Sequence, residues 1–144
     1  MDIAEIHDLW DQDSKIDPTD LGTASLIIPQ LHSKYMRLYT TEKLTLKKME
    51  QSHKEMVRLK WEYYGGTLDE ETLSENGWRP NPLKILRSDI PMHIEADQDI
   101  IKSNLKVAYI KEKVDLLEAI VKTLNNRGFL IKNYIDWYKF TNGA

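Results

Sequence analysis

A row of positive charge runs along one face of a predicted helix between residues 43 and 64. At about 100° per residue, its members fall within an arc of roughly 60°. They are Lys43, Lys47, Lys54, Arg58 and Trp61. The opposite face carries Leu46, Met49, His53, Met56, Val57 and Tyr64. One face can therefore pack while the other offers cations and a flat indole ring, a combination that suits the phosphates and bases of a single-stranded nucleic acid.

Such a row has a simpler interpretation as well. Lysines on a long helix are typical of a solvated face interleaved with glutamates, and Glu50 lies within this row. Two details favour a binding role. Trp61 continues the row, where an exposed tryptophan is costly unless it is used, and Lys60 lies toward the apolar side beside Tyr63 and Tyr64.

The composition excludes several classes of protein. A chain of 144 residues amounts to about one domain. No stretch approaches the roughly 18 apolar residues of a membrane span, and the acidic N-terminus lacks the basic start of a secretory signal. A formal net charge of -3 excludes a broadly basic coat, so any polyanion site must be a local patch. The absence of cysteine excludes disulfides, cysteine nucleophiles and iron–sulfur clusters.

Motifs for catalysis are also missing. No phosphate-binding loop or dinucleotide fingerprint occurs, and the four histidines have no metal-ligand spacing. Asp97 and Asp99 have the Asp-x-Asp spacing of a magnesium site, but carboxylates also gather at helix N-termini as caps. We therefore predict a protein that is not an enzyme and holds no metal or cofactor. A metal-dependent nuclease that uses Asp97 and Asp99 is the weaker alternative.

The elements that would position the cationic row are helical. Ile3, Ile6, Leu9 and Trp10 form a short amphipathic stripe, which would dock on its own domain or on a partner. Asp17-Pro18 predicts the next helix start, and Pro29 predicts a kink or break near Ile28. Residues 30–64 contain no glycine or proline and predict a rod about 50 Å long, which Gly65-Gly66 would end.

The second half of the chain predicts two more helices. An irregular linker from Thr67 to His93 would hold a short acidic helix, with capping-box spacing at Thr67 and Thr72, and Arg79-Pro80-Asn81-Pro82 forbids regular structure. Asp97 and Asp99 open a long helix that would end near Asn126. Its predicted inner face consists of Ile101, Leu105, Ala108, Leu117, Ile120, Val121 and Leu124.

After Gly128 we predict a short terminal helix that is apolar on all sides. Its residues are Phe129, Leu130, Ile131, Tyr134, Ile135, Trp137, Tyr138 and Phe140. Because such a helix must be buried on several sides, self-association is the natural explanation. The predicted fold is thus all-α: a kinked N-terminal rod and a second long helix joined by an irregular linker, plus a short C-terminal assembly helix. Residues 1–93 would bind the strand and residues 94–144 would form the oligomer.

Three segments together resemble the UvsY family, the recombination mediators of tailed phages. They are RLKWEYYGG at residues 58–66, ADQDIIK at 96–102, and RGFLIK at 127–132 followed by Asp136 and Phe140. The first looks like the family motif that ends a long helix, the second like the opening of the next helix. Each motif is short, but their order and spacing together make the likeness specific over about the last two-thirds of the chain.

The resemblance implies a non-catalytic accessory of homologous recombination that acts in the host cell cytoplasm. Members of the family bind single-stranded DNA, the phage single-strand binding protein and a RecA-like recombinase, and they form ring-like homo-oligomers, as a hexamer or heptamer, through the C-terminal region. By match to the motif, Arg58 and Lys60 would be the cations that bind the single strand, with Lys54 one turn before them. Trp61 of the cationic row completes the predicted nucleic-acid-binding residues. The alternative is a non-catalytic coiled-coil structural or adaptor protein without nucleic-acid binding.

Overall fold

The computed structural model describes residues 1–81 and 85–143, and within these ranges it contains helices and no strands. The α-helices are α1 (Ile3–Asp13), α2 (Leu21–Gly65), α3 (Glu70–Asn76), α4 (Ile90–Glu95) and α5 (Gln98–Thr141), with a 3₁₀ turn at Arg87–Asp89 before α4. The predicted all-α class is confirmed. None of the described helices combines the length and apolar character that a membrane crossing requires.

Helix α1 docks on the chain itself. Asp2 and Glu5 form a reciprocal capping box, in which the Glu5 N–H donates to Asp2 at 2.8 Å and the Asp2 N–H donates to Glu5 at 2.9 Å. The apolar stripe of α1 is buried at Ile6, which packs with Leu31 and Tyr35 of α2. Of the two roles predicted for the stripe, the structure therefore shows docking within the chain.

The start of α2 differs from the prediction. Asp17 accepts hydrogen bonds from the backbone N–H and the hydroxyl of Thr19, at 2.9 and 2.6 Å. Asp20 accepts one from the backbone N–H of Thr23 at 3.3 Å, and the helix starts just after it. The predicted start at Asp17-Pro18 is wrong because this aspartate uses its carboxylate within a local turn.

Helix α2 continues through Pro29, so the predicted break is wrong there, whereas the predicted kink stays a prediction. Proline removes one helical hydrogen bond, yet Ala24, Leu31 and Tyr35 on either side of it are all buried. Tertiary packing on both sides of the proline outweighs the local cost. The predicted end of the rod is confirmed, because Gly66 follows the last helical residue with φ +75°, a conformation that favours glycine.

Helix α5 runs without interruption from Gln98 to Thr141, so the predicted end near Asn126 and the separate terminal helix are wrong. Gly128 costs a helix interior about 1 kcal/mol, but Leu124, Arg127 and Ile131 on either side of it are buried. Burial of these larger side chains explains why the helix persists.

The predicted inner face of α5 is correct only in part. Leu117, Ile120, Val121 and Leu124 are buried as predicted. Ile101, Leu105 and Ala108 are instead exposed, and Ile100 is the buried residue of the first turns. The register there is set by the contacts of Ile100 with α4 rather than by the most apolar stripe of the sequence.

The linker is more regular than predicted, since it contains α3, the 3₁₀ turn and α4. The short acidic helix is confirmed as α3, but its cap is Asp69, which accepts from the backbone N–H of Thr72 at 3.3 Å. Residues Arg79 to Asn81 have no helical or strand structure, as predicted, and Pro82 lies outside the described residues.

The chain forms two compact units, Met1–Leu44 with Lys111–Ala144, and Thr45–Ile110. The first has a core of Ile6, Leu31, Tyr35, Leu117, Ile120, Val121 and Leu124. The second has a core of Ile90, Ile94 and Ile100, against which Met56, Val57, Tyr64 and Ile85 pack. The boundaries of these units fall inside α2 and α5, and the functional division at residue 93 stays a prediction.

Arg127, from the third family-like segment, caps α1 within the first unit. Its buried guanidinium donates to the carbonyl oxygens of Asp13, Ser14 and Lys15, at 2.8, 3.4 and 3.0 Å. Helix C-termini leave such carbonyls without partners, so Arg127 both satisfies them and ties α1 to α5. We expect Arg127→Met to lower the free energy of unfolding by about 2 kcal/mol, since hydrogen bonds to charged groups contribute that much. Urea unfolding would measure the loss; an unchanged midpoint would contradict the capping role.

Candidate nucleic-acid interface

Most of the predicted cationic row lies in the second unit, on an exposed surface of α2. Lys47, Lys54 and Arg58 are exposed, and Trp61 is 37% exposed. Lys43, the first member of the predicted row, belongs to the first unit, where its ammonium nitrogen lies 5.4 Å from the centre of the Tyr39 ring. We define the cationic face as Lys47, Lys54, Arg58 and Trp61.

The cations of this face are not equivalent. Among the ion pairs of the described residues, none involves Lys47 or Lys54. Arg58 in contrast is held by two glutamates of its own helix, Nη2 to Glu55 at 2.6 Å and Nη1 to Glu62 at 2.9 Å. The hydrogen bond from Arg58 to Glu55 and the charges of both glutamates raise the pKa of Arg58 above its usual value.

Lys60 does not belong to the cationic face. It follows Arg58 by two residues, which places it about 200° around the helix, and it is only 3% exposed. Its ammonium nitrogen lies 3.1 Å from Asp97 Oδ2 and 2.9 Å from Asp99 Oδ2. The family motif implies direct contact of Lys60 with a phosphate, and in this structure its ammonium group is instead buried and paired with two carboxylates.

Aromatic rings complete the surroundings of this lysine. The Lys60 nitrogen lies 3.9 Å from the centre of the Trp78 ring and 5.1 Å from that of Tyr63. The Trp78 indole N–H donates to Asp99 Oδ2 at 3.1 Å, and the Tyr64 hydroxyl donates to Asp97 Oδ2. We call this group of side chains the lysine cluster: Lys60, Tyr63, Tyr64, Trp78, Asp97 and Asp99.

The lysine cluster joins the end of α2 to the start of α5. Asp97 Oδ1 accepts from the backbone N–H groups of Asp99 and Ile100, at 2.9 and 3.2 Å, and so caps α5 as the sequence predicts. Burial raises the pKa of Asp97, but hydrogen bonds from Tyr64, Lys60 and Ile100 outweigh burial and hold that pKa below its usual value. Both carboxylate oxygens of Asp97 thus have partners within the protein.

The magnesium alternative for Asp97 and Asp99 loses its chemical basis here. Both carboxylates point an oxygen at the Lys60 ammonium, which a divalent cation would have to displace. Across residues 1–81 and 85–143, no group of three or more histidine, aspartate or glutamate side chains could hold a metal ion. The sequence shows each of these residues but not their pairing with Lys60, which lies 37 residues from Asp97 and 39 from Asp99.

The end of α5 exposes large apolar side chains. Phe129 is 68% exposed, Trp137 62% and Phe140 78%, and Leu130, Tyr134 and Tyr138 are exposed as well. We define the terminal apolar surface by these six residues. Two other members of the predicted assembly helix differ: Ile131 is buried in its own unit and Ile135 is half-buried. Large exposed apolar side chains that lie together are typical of protein–protein interaction sites.

Comparison with known proteins gives one consistent result. A family model described as "Recombination, repair and ssDNA binding protein UvsY" matches residues 9–144. The recombination protein uvsY of Enterobacteria phage T4 is 23% identical over 143 residues, which cover 99% of each sequence.

Solved structures show the same fold. One crystal structure of the bacteriophage T4 recombination mediator protein UvsY, lattice type II, has a TM-score of 0.84 at 21% identity and covers 99% of this chain and 98% of that one. Another, lattice type IV, also has a TM-score of 0.84 at 21% identity, with coverage of 97% and 99%. Since the family match spans nearly the whole sequence, the resemblance of the three segments is confirmed, and the chain belongs to the UvsY family of recombination, repair and single-stranded-DNA-binding proteins.

Proposed function

We propose that this chain is a recombination mediator, which binds single-stranded DNA and helps load a RecA-like recombinase in place of single-strand binding protein. Family membership supports the general role. The observation that carries the proposed site is the cationic face, where Lys54, Arg58 and Trp61 are exposed together on one side of α2. The protein would act in the cytoplasm of the infected host cell, without a catalytic step of its own.

The contact with DNA would be independent of sequence. Lysine and arginine side chains neutralise phosphates, and an aromatic ring stacks on any base because every base has a π face. Trp61 lies three residues after Arg58, so base stacking and phosphate pairing would occur on the same turn of α2. Lys60 would contribute indirectly, because its buried ion pairs hold the end of that helix.

Binding by one copy would be weak, and assembly would make it strong. Two or three cations neutralise few phosphates, and the chain as a whole is acidic. The terminal apolar surface supplies a means of association, through which copies would form a ring-like homo-oligomer. A ring repeats the cationic face, and the high effective concentration of neighbouring faces raises the affinity for one strand.

This arrangement also suggests how a mediator would work. A strand that runs across successive cationic faces is bent or splayed, so its contacts with single-strand binding protein are weakened. The recombinase can then nucleate on the exposed bases. The mediator therefore needs a high total affinity for DNA, made up of weak contacts that each copy can release easily.

The cationic face is tested by a double substitution, Lys54→Gln with Arg58→Gln. We expect weaker binding to an oligonucleotide, and a salt dependence that falls by about 0.7 in log–log slope for each phosphate that the variant no longer neutralises. Lys102→Gln with Lys106→Gln is the matched control, because it removes the same charge from exposed positions of α5 in the same unit. Quenching of tryptophan fluorescence, titrated at several salt concentrations, measures both quantities.

Equal affinities and slopes for the two double variants would remove the site assignment. Passage of the parent protein through a single-stranded DNA resin without retention would remove the function as well. That second result would favour the alternative, a structural or adaptor protein that uses the same long helices to bind other proteins.

A further inference from the structure

We infer that Glu55 and Glu62 form an electrostatic gate on Arg58, which limits how tightly each copy holds single-stranded DNA. The inference rests on the proposed function, because it concerns the arginine of the cationic face. It adds two affinity-determining residues whose charge is the opposite of what a DNA-binding surface requires.

The geometry of the three side chains supports the gate. Glu55 and Glu62 lie three residues before and four residues after Arg58, the spacings at which helical side chains meet. Each carboxylate takes one terminal nitrogen of the guanidinium, at 2.6 Å for Glu55 and 2.9 Å for Glu62. The two terminal nitrogens are the ones that a phosphate would use for paired hydrogen bonds. The best phosphate ligand of the cationic face is therefore occupied before DNA arrives.

Exposure makes the gate weak enough to open. The side chains of Glu55, Arg58 and Glu62 are 60%, 56% and 42% exposed, so solvent screens both pairs. Exposed ion pairs of this kind typically change an equilibrium by about twofold to fivefold each. A phosphate can displace a carboxylate at that cost, but the displaced carboxylate stays nearby and repels it.

A gate of this size fits a protein that must release its strand. If Arg58 had no acidic neighbours, each copy would bind DNA more tightly, and avidity around a ring would amplify that increase in affinity. The recombinase would then have to displace a much tighter complex. Within the described ranges, Lys47 and Lys54 form no ion pair with an acidic side chain. The restraint thus acts on the cation of this face that can form bidentate contacts.

The test is a double-mutant cycle on the full chain, with Glu55→Gln plus Glu62→Gln in one arm and Arg58→Gln in the other. Binding is measured by fluorescence anisotropy of a labelled oligothymidylate at fixed salt. When Arg58 is present, we expect the glutamate substitutions to raise the affinity for DNA about threefold to tenfold. In the Arg58→Gln background, the same substitutions should raise the affinity by less than half of that factor. Each substituted side chain is at least 42% exposed, so circular dichroism should show unchanged folding.

A charge control separates the gate from general electrostatics. Glu75→Gln with Glu95→Gln removes the same two charges from exposed positions of the same unit, where neither glutamate pairs with Arg58 or lies within the cationic row. An increase in this control as large as that of the gate variant would overturn the inference, as would an equal gain with and without Arg58, or no gain.

The cycle also keeps the inference distinct from the proposed function. If the parent binds and Arg58→Gln weakens binding, the proposed site stands whatever the glutamates do. If Arg58→Gln binds as well as the parent, Arg58 is not a DNA contact, and both the site assignment and the gate fail.

Discussion

Replacing Lys60 with methionine is expected to lower the free energy of unfolding by about 3 kcal/mol, at the lower end of the range for breaking a buried ion pair. Methionine fills a similar volume, but it leaves the buried Asp97 without its cation and removes the contact with the Trp78 ring. The partial exposure of Asp99 moderates the loss. Chemical denaturation followed by circular dichroism measures the change.

Arg58→Met is the matched comparison, because it removes a cation two residues away on the same helix. Its ion pairs are exposed and screened by solvent, so its loss should change stability little while it weakens DNA binding. Lys60→Met should therefore lose mainly stability, whereas Arg58→Met should lose mainly affinity for DNA. A Lys60→Met protein as stable as its parent would show that the lysine cluster does not hold this unit together.

The pH dependence of stability provides a second readout of the same cluster. The pKa of Asp97 is lowered in the folded protein, so its contribution to stability is present above the unfolded pKa of about 3.9 and is lost as pH falls through the lower, folded value. Without Lys60, burial of Asp97 is opposed by fewer interactions, and its folded pKa rises. The gap between the folded and the unfolded pKa of Asp97 is then smaller, so the acid-induced loss of stability that this carboxylate contributes should be smaller in Lys60→Met than in the parent.

Because we propose that copies assemble through the terminal apolar surface, replacing Trp137 and Phe140 with glutamine is expected to give a smaller species and to lower the affinity for long single strands about a hundredfold, within the range that avidity supplies. Both rings are exposed on the terminal apolar surface, and their centres lie 6.0 Å apart. Their removal deprives association of apolar area without touching the core of the unit. Light scattering coupled to chromatography, with and without oligonucleotide, measures size and binding together.

Leu26→Gln is the control for that experiment, since Leu26 is 82% exposed in the same unit but lies outside the terminal apolar surface. It should leave the oligomer and its DNA binding unchanged. Truncation after Gly128 would be a poorer test, because α5 is continuous there and Ile131 is buried in the core. An unchanged oligomer in the Trp137 and Phe140 variant would contradict the assembly role of this surface.

Local sequence patterns predicted several of the helices and the exposed residues Lys47, Lys54, Arg58 and Trp61 of the cationic face. Helical periodicity and capping are set by residues three or four apart, which is why α1, α3, the end of α2 at Gly65-Gly66 and the cap at Asp97 could be predicted. The motifs also identified the family, because their order and spacing are properties of the chain itself.

Tertiary packing decided the rest. Pro29 and Gly128 favour helix ends by their own chemistry, but buried neighbours on both sides keep α2 and α5 continuous. Lys60 has the residue type of a phosphate ligand, yet its partners Asp97 and Asp99 lie 37 and 39 residues away. A side chain's charge is a property of the sequence, whereas its availability to a ligand depends on which distant groups the fold brings against it.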